Sequence, residues 1–260
     1  MNNKQCILLS HVFVDPKEKK KRSKLKYIEF SVMHYKQNNP DAYIILTGHG
    51  LIPKKAKKYC DFFYWEENLD LDEIGKGHPK FVNIGIDHAI NKGFKYLLKS
   101  RADSVCLIPN IFDWCEKQLK NKKYLVTQQS FREPPRLGDL FIFGELNFFK
   151  KCWDTTNWYE FKSGLEPHAN NFIGLSNSDN LVDAIKDKGV FVDIFRLKWI
   201  CFRGPGNWNI LKTKKKQIIR NNLISFEKYL WGTAENWHEW DSDGNLIKSF
   251  DKELITEKEI

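Results

Sequence analysis

The residues best suited to chemistry lie at 99–103, where Lys-Ser-Arg-Ala-Asp follows an apolar stretch. Side chains alternate between the two faces of a strand, so an extended segment here would project Lys99, Arg101 and Asp103 to the same side. Two cations and a carboxylate at the end of a buried strand are costly to bury without a partner. Because lysine and arginine contact phosphate oxygens, the segment predicts a phosphate-binding site. A salt-bridge cluster at a surface corner has the same composition and is the simpler alternative.

The elements that must position this segment alternate between apolar strands and helical patterns. Strands are predicted at 6–14, 42–47, 61–65, 94–99, 124–128, 140–143 and 190–195, and helices at 25–38, 79–91, 110–120, 147–153, 167–175 and 180–188. This alternation predicts an α/β fold with a mostly parallel sheet flanked by helices. The aromatic-rich C-terminal region is irregular, apart from a hairpin indicated by Asp-Gly at 243–244.

Ligands of open α/β sheets bind outside the carboxyl ends of the strands, so polar residues that follow strands are the first candidates for a site. Besides 99–103, such residues are found at Ser10-His11 and 48–50, and Gly138-Asp139 precedes a strand. His11 and His49 are possible ligands, but a lone histidine beside a turn is more often a hydrogen-bonded structural residue.

The order of elements resembles that of GT-A-type glycosyltransferases. The segment 99–103 is similar to the Lys-x-Arg-x-Asp motif of WavE-like lipopolysaccharide-synthesis proteins and related viral and bacterial sugar transferases. The segment 138–144, Gly-Asp-Leu-Phe-Ile-Phe-Gly, resembles their aspartate-aromatic-glycine segment, and the likeness covers about residues 5–175. It implies a single GT-A-like domain, in which about 1–125 bind the nucleotide sugar and about 126–260 bind the acceptor.

The resemblance implies transfer of a sugar from a nucleoside-diphosphate sugar to a glycan or a lipid-linked saccharide, as in polysaccharide or glycoconjugate synthesis. The donor-binding residues that it implies are Ser10, Lys80, Asn83, Lys99, Arg101 and Asp103. Ser10 would lie beside the uridine or ribose. For Lys80 and Asn83 the alternative is the solvated first turn of a helix.

One departure from the family pattern concerns the metal. A typical GT-A motif is Asp-x-Asp, whereas Arg101 replaces the first acid here and leaves Asp103 alone. Asp103 would then ligate a Mn²⁺ or Mg²⁺ coordinated largely by the diphosphate, which is the interpretation we favour. In the alternative, Arg101 and Lys99 replace the metal electrostatically.

Inverting transfer needs a base that deprotonates the acceptor hydroxyl, and two acids are candidates. Asp139 precedes an apolar strand, where partial burial would raise the pKa of its carboxyl group; a turn aspartate is the alternative. Glu166 precedes Pro167 at a predicted helix start, where an acid is also favoured by the helix dipole alone.

Composition limits the cellular setting and the partners. The 260 residues contain no apolar run long enough for a transmembrane helix, no signal peptide is recognisable, and the six cysteines form no Cys-x-x-Cys pair. These features predict a cytoplasmic protein.

The net charge of +9 suits an anionic partner. The basic loops at 17–26 and 212–216 suggest peripheral contact with an anionic membrane, although solvated loops are the simpler explanation. A non-catalytic nucleic-acid-binding protein is the second hypothesis. Nucleic acid is not expected as a partner, because no RNP-like or helix-turn-helix pattern is present. A third hypothesis, another nucleotide enzyme, is weakened by the lack of a GxGxxG segment or P-loop.

Overall fold

A computed structural model of the chain describes residues 5–11, 22–67, 74–106, 108–130, 136–156, 167–179, 181–192, 199–201, 228–232, 236–241 and 246–251. In chain order its strands are β1 (Cys6–His11), β2 (Tyr43–His49), β3 (Phe62–Glu66), β4 (Tyr96–Arg101), β5 (Ser104–Cys106), β6 (Tyr124–Ser130), β7 (Arg136–Glu145), β8 (Gly189–Val192), β9 (Trp199–Cys201), β10 (Lys228–Gly232), β11 (Asn236–Asp241) and β12 (Leu246–Asp251). Its α-helices are α1 (Arg22–Asn38), α2 (Ile74–Asn91), α3 (Ile111–Leu119), α4 (Leu146–Cys152), α5 (Pro167–Leu175) and α6 (Leu181–Lys188).

The central sheet has seven strands in the order β3-β2-β1-β4-β7-β6-β8. The four strands β3, β2, β1 and β4 are mutually parallel, and β8 pairs parallel with β6. Only β7 runs against its neighbours among these strands, because it pairs antiparallel with both β4 and β6. The predicted mostly parallel α/β sheet is therefore confirmed.

Helices cover both faces of this sheet, as its apolar strands require. On one face, Ile7 and Leu9 of β1 pack with buried residues of α1 and α3. On the other face, Leu8 of β1 packs with residues of α2, α4 and α5. Two hydrophobic layers therefore enclose the sheet, and its strand ends are the places where polar side chains can meet a ligand.

Several element boundaries differ from the predictions in ways that affect the site. Helix α2 begins at Ile74, ahead of the predicted start at 79, and contains Pro79. Strand β4 extends to Arg101 instead of ending at 99. Strand β7 begins at Arg136, so Asp139 lies within a strand instead of before it. Helix α3 begins at Ile111, and Asn110 precedes it with φ of 48° and no side-chain capping hydrogen bond.

Two smaller sheets accompany the central one. Strands β5 and β9 pair antiparallel, and β10, β11 and β12 form an antiparallel sheet. The hairpin of β11 and β12 matches the prediction from Asp-Gly at 243–244, although that turn lies outside the described residues. The sequence did not predict β5, β9 or β10.

Further predictions from the sequence concern basic loops, cysteines and membrane-spanning helices. Residues 17–21 of the predicted basic loop and all of 212–216 lie outside the described residues, whereas 22–26 form the start of α1 instead of a loop. Within the described residues, Cys6, Cys60, Cys106, Cys115 and Cys152 are free thiols. Within the same part of the chain, no helix is both long and apolar enough to cross a bilayer.

Candidate functional site

The carboxyl ends of β1 and β4 lie side by side and bring Ser10 next to Arg101. These two residues are direct partners in the parallel ladder, and the Ala102 amide donates a hydrogen bond to the Ser10 carbonyl at 3.0 Å. Register partners in a parallel pair share a face, so both side chains lie on the face that α2 covers. Two of the strand ends at which the sequence analysis found polar residues therefore lie side by side in the sheet.

Arg101 and Asp103 form a two-point ion pair at this edge. The Arg101 Nε donates to Asp103 Oδ1 at 2.9 Å, and its Nη2 donates to Oδ2 at 3.1 Å. Strand β4 ends at Arg101, where the Ser104 hydroxyl donates to the Arg101 carbonyl at 2.8 Å and closes a turn. The predicted strand alternation thus does not extend to Asp103, and the turn brings the carboxylate back onto the guanidinium.

The exposure of the two partners differs. The Arg101 side chain is 20% exposed, whereas that of Asp103 is 3% exposed. A molecule that approaches this edge from solvent therefore meets the guanidinium before the carboxylate.

His11 lies behind the ion pair. Its Nδ1 is 3.8 Å from Asp103 Oδ2, and the side chain is buried. The backbone of β2 approaches β1 closely here, because a Cβ on Gly48 would clash with the His11 carbonyl oxygen and lie 2.7 Å from the Trp65 ring. A side chain at position 48 would therefore disrupt the packing around His11.

Ser10 has a buried hydroxyl with no hydrogen-bond partner among the described residues. Thr47, the register partner of Ser10 on β2, does have a partner, because its hydroxyl donates to the Phe81 carbonyl of α2 at 2.8 Å. Buried polar atoms are almost always hydrogen-bonded, so a hydroxyl like that of Ser10 suits a ligand or a bound water. The predicted role beside a nucleotide is untested by this geometry.

Lys99 lies deeper than Arg101 on the same strand. It is fully buried, and its ammonium lies 5.1 Å from the centre of the Trp153 ring, a cation–π distance. Trp153 in turn stacks on His168, with ring centres 5.0 Å apart and planes 1° from parallel. The structure therefore places Lys99 within the α4–α5 layer, and a contact with phosphate stays a prediction.

Lys80 and Asn83, on α2, have protein partners. Lys80 lies 2.9 Å from the Glu66 carboxylate. Asn83 donates to the carbonyl oxygens of Pro79 at 3.1 Å and Trp153 at 2.8 Å, joining α2 to the end of α4. Their predicted nucleotide contacts also remain predictions.

The two candidate bases are placed differently. Asp139 lies two residues before Phe141, the β7 partner of Ser100, so its backbone lies toward the carboxyl end of β4. Glu166 lies outside the described residues and directly precedes α5.

Glu66 is a residue at the same end of the sheet that the sequence analysis missed. It terminates β3 and accepts a hydrogen bond from the Tyr64 hydroxyl at 2.7 Å as well as the one from Lys80. Partial burial raises the pKa of Glu66, but the hydrogen bonds and charge of Lys80, with the Tyr64 hydroxyl, outweigh it and hold the pKa below its usual value. Its position directly after an apolar strand was the signal that would have identified it.

The residues around Asp103 do not fit a divalent metal. Both carboxylate oxygens accept hydrogen bonds from Arg101, and a guanidinium at this distance opposes the approach of a second cation. Across the described residues, no group of three His, Cys, Asp or Glu side chains is placed to hold a metal ion.

Comparison with known proteins gives similarity in fold. No protein-family profile matches the sequence, and no curated protein matches it. Similar solved structures include a glycosyltransferase involved in glycosylation of the major capsid of PBCV-1, at 13% identity, with 83% of this chain and 98% of that chain covered and a TM-score of 0.48. The galactosyltransferase LgtC, in complex with donor and acceptor sugar analogues, is 8% identical, with 85% and 97% covered and a TM-score of 0.48.

A third similar structure is 4-diphosphocytidyl-2C-methyl-D-erythritol synthase from Anaerococcus prevotii, at 11% identity, with 74% of this chain and 88% of that chain covered and a TM-score of 0.44. The predicted resemblance to GT-A-type sugar transferases is thus confirmed as a resemblance in fold. At these TM-scores it carries nothing about donor, acceptor or mechanism.

Proposed function

We propose that the chain is a glycosyltransferase that uses a nucleoside-diphosphate sugar. The observation that carries the proposal is the Arg101 guanidinium, held by Asp103 at the carboxyl end of β4, with Arg101 the register partner of Ser10, whose hydroxyl is buried in β1. Ligands of parallel sheets bind at this end of the strands, and a guanidinium is suited to bind phosphate oxygens in pairs. A phosphorylated ligand with a neighbouring hydroxyl-bearing group, such as a ribose, matches this pair of side chains.

The donor site in this proposal is centred on β1 and β4. Arg101 binds the diphosphate, and Ser10 contacts the ribose or the base. Lys80 and Asn83 extend the site along α2, and Lys99 supports it from beneath. The predicted metal at Asp103 has no part in the proposal, because the Arg101 pair occupies that carboxylate.

The acceptor is a glycan or a lipid-linked saccharide, bound by the second half of the chain. Asp139 is our first candidate for the base, because its strand brings its backbone toward the end of β4 at which Arg101 lies. Glu166 is the second candidate. If the acceptor is lipid-linked, the basic segments at 17–26 and 212–216 would contact the anionic membrane surface.

The test is release of nucleotide from UDP-, GDP- and TDP-linked sugars, with a CMP-linked sugar as a control that lacks the diphosphate. Parallel reactions contain EDTA, Mg²⁺ or Mn²⁺, so that the result does not depend on any metal requirement. We expect one diphosphate donor to be consumed and the CMP-linked sugar to be left intact. If no donor is consumed or bound under any of these conditions, the proposal is wrong.

Variants then assign the roles. Arg101→Gln should lower donor consumption by about tenfold or more, because a charge-assisted phosphate contact is lost. Lys123→Gln is the matched control, since Lys123 pairs with Glu145 at the opposite end of β4. Asp139→Asn and Glu166→Gln separate the two candidate bases: the true base should lose transfer to acceptor while donor binding is retained.

A further inference from the structure

The Arg101–Asp103 pair has a geometry that decides between two ways of neutralising a diphosphate. The guanidinium donates to both carboxylate oxygens, at 2.9 Å and 3.1 Å, as a fork. Mg²⁺ sites often use only one or two carboxylates, with phosphates and waters as the other ligands. A single acid is therefore not too few by itself, and the Arg101 contact is the deciding feature.

A metal ion at Asp103 would have to share oxygens already bound by a guanidinium. Its double positive charge would lie within a few ångströms of Arg101, and this repulsion is strong where water is excluded. The side chains of Asp103 and His11 are nearly inaccessible, at 3% and 1% exposure. Any ion would have to lose its water shell at a carboxylate that already has a cationic partner.

The exposed member of the pair is the cation. Arg101 keeps 20% of its side chain accessible, whereas Lys99 on the same strand is fully buried under Trp153. Anionic oxygens that arrive from solvent therefore contact Arg101 first.

On the basis of the proposed function, we infer that this site binds the diphosphate of its donor without a divalent metal ion. Arg101 supplies the positive charge that binds the phosphates. Asp103 is a positioning residue, which orients the guanidinium through its two carboxylate oxygens and does not contact the donor. His11 supports Asp103 from the opposite face of the sheet.

The first test is calorimetric titration of UDP, GDP and TDP into the protein in EDTA, Mg²⁺ or Mn²⁺. We expect the nucleotide that binds to have a Kd in EDTA within about threefold of its Kd with either metal, because removal of the metal removes no contact to the phosphates. Binding that disappears in EDTA and returns with Mn²⁺ would overturn the inference and leave the proposed function intact. Failure of every nucleotide in every buffer would overturn both.

The second test ranks variants. Arg101→Gln should weaken nucleotide binding by about tenfold or more, Arg101→Lys should restore part of it because the charge returns without the fork, and Asp103→Asn should have the smaller effect. A metal ligand at Asp103 would give the reverse ranking, with Asp103→Asn the most damaging.

Folding controls accompany these variants. Each Kd is measured well below the melting temperature of the variant, and Lys123→Gln serves as the matched ion-pair control at the other end of β4. If the Arg101–Asp103 pair were merely structural, both Arg101 variants would lower the melting temperature with no change in Kd, and the inference would be wrong.

Discussion

Ser10 and Arg101 are direct partners across the β1–β4 ladder: Ser10 directly follows the buried apolar run of β1, and Arg101 is the last residue of β4. Parallel pairing places the two carboxyl ends at the same edge of the sheet, so residues 91 positions apart in the chain lie next to each other there. One contributes a buried hydroxyl, and the other a partly exposed guanidinium.

Replacement of Ser10 by alanine should weaken nucleotide binding by about three- to tenfold, because one hydrogen bond to the ligand is lost. The free energy of unfolding should change little, since the Ser10 hydroxyl has no partner among the described residues. Ser31→Ala is the matched control: its hydroxyl is also buried and likewise without a partner in the described part of the chain, but it lies in α1. Equal losses of affinity in both variants, measured by titration, would contradict a ligand role for Ser10.

Replacement of Gly48 by alanine should lower the free energy of unfolding by about 1–3 kcal/mol, as overpacking does elsewhere. The new Cβ would clash with the His11 carbonyl oxygen and the Trp65 ring. Gly174→Ala, in α5 with nothing within 4 Å of the added Cβ, should instead stabilise by about 0.5–1 kcal/mol. Urea unfolding of both variants checks the contrast, and a destabilisation of the same size at Gly174 would refute the packing argument.

Stability should fall with acid partly because of His34. Burial lowers its pKa to about 4, opposed by the hydrogen bond from Nε2 to the Cys106 carbonyl at 2.9 Å. An unfolded histidine has a pKa of about 6.5, so between about pH 6.5 and 4 the unfolded chain binds a proton that the folded chain does not. The contribution is fully present above about pH 6.5 and is lost on acidification, by roughly 3 kcal/mol at most.

The measurement for His34 is urea unfolding from pH 7.5 to 4.5, compared with His34→Gln. The glutamine can still donate to the Cys106 carbonyl but does not titrate, so its stability should depend less steeply on pH. Parallel pH profiles for the two proteins would show that His34 does not contribute.

Replacement of Asn83 by alanine should lower the free energy of unfolding by about 1–2 kcal/mol. Its amide donates to the Trp153 carbonyl at 2.8 Å, and Trp153 is buried, so the carbonyl would lose its partner. Asn171, which donates to the Cys152 carbonyl at 3.0 Å from α5, offers a comparison in which no nucleotide contact is proposed. Nucleotide titration of the two variants then separates the structural role from the predicted donor contact, because only Asn83→Ala should weaken binding if that contact exists.

The strand and helix alternation, the mostly parallel sheet and the polar residues at strand ends could be predicted from the sequence. Apolar periodicity reports which residues must be buried, and burial on both faces of a sheet requires helical cover. The same reasoning places Ser10 and Arg101 at strand ends, because it needs only their position relative to an apolar stretch; their predicted role in donor binding stays a prediction. It missed β5 and β9, since three-residue strands give too short a pattern to detect, and it also missed β10.

Only the tertiary structure decided what the site residues contact. The sequence predicted that Lys99, Arg101 and Asp103 share one face, but the turn after Arg101 returns the Asp103 carboxylate to the guanidinium, while Lys99 is buried against Trp153 of a distant segment. Local spacing fixes the direction of a side chain along a strand. Its partners depend on which remote segments pack beside it, and that packing determines whether an aspartate is open to a metal ion or bound by an arginine.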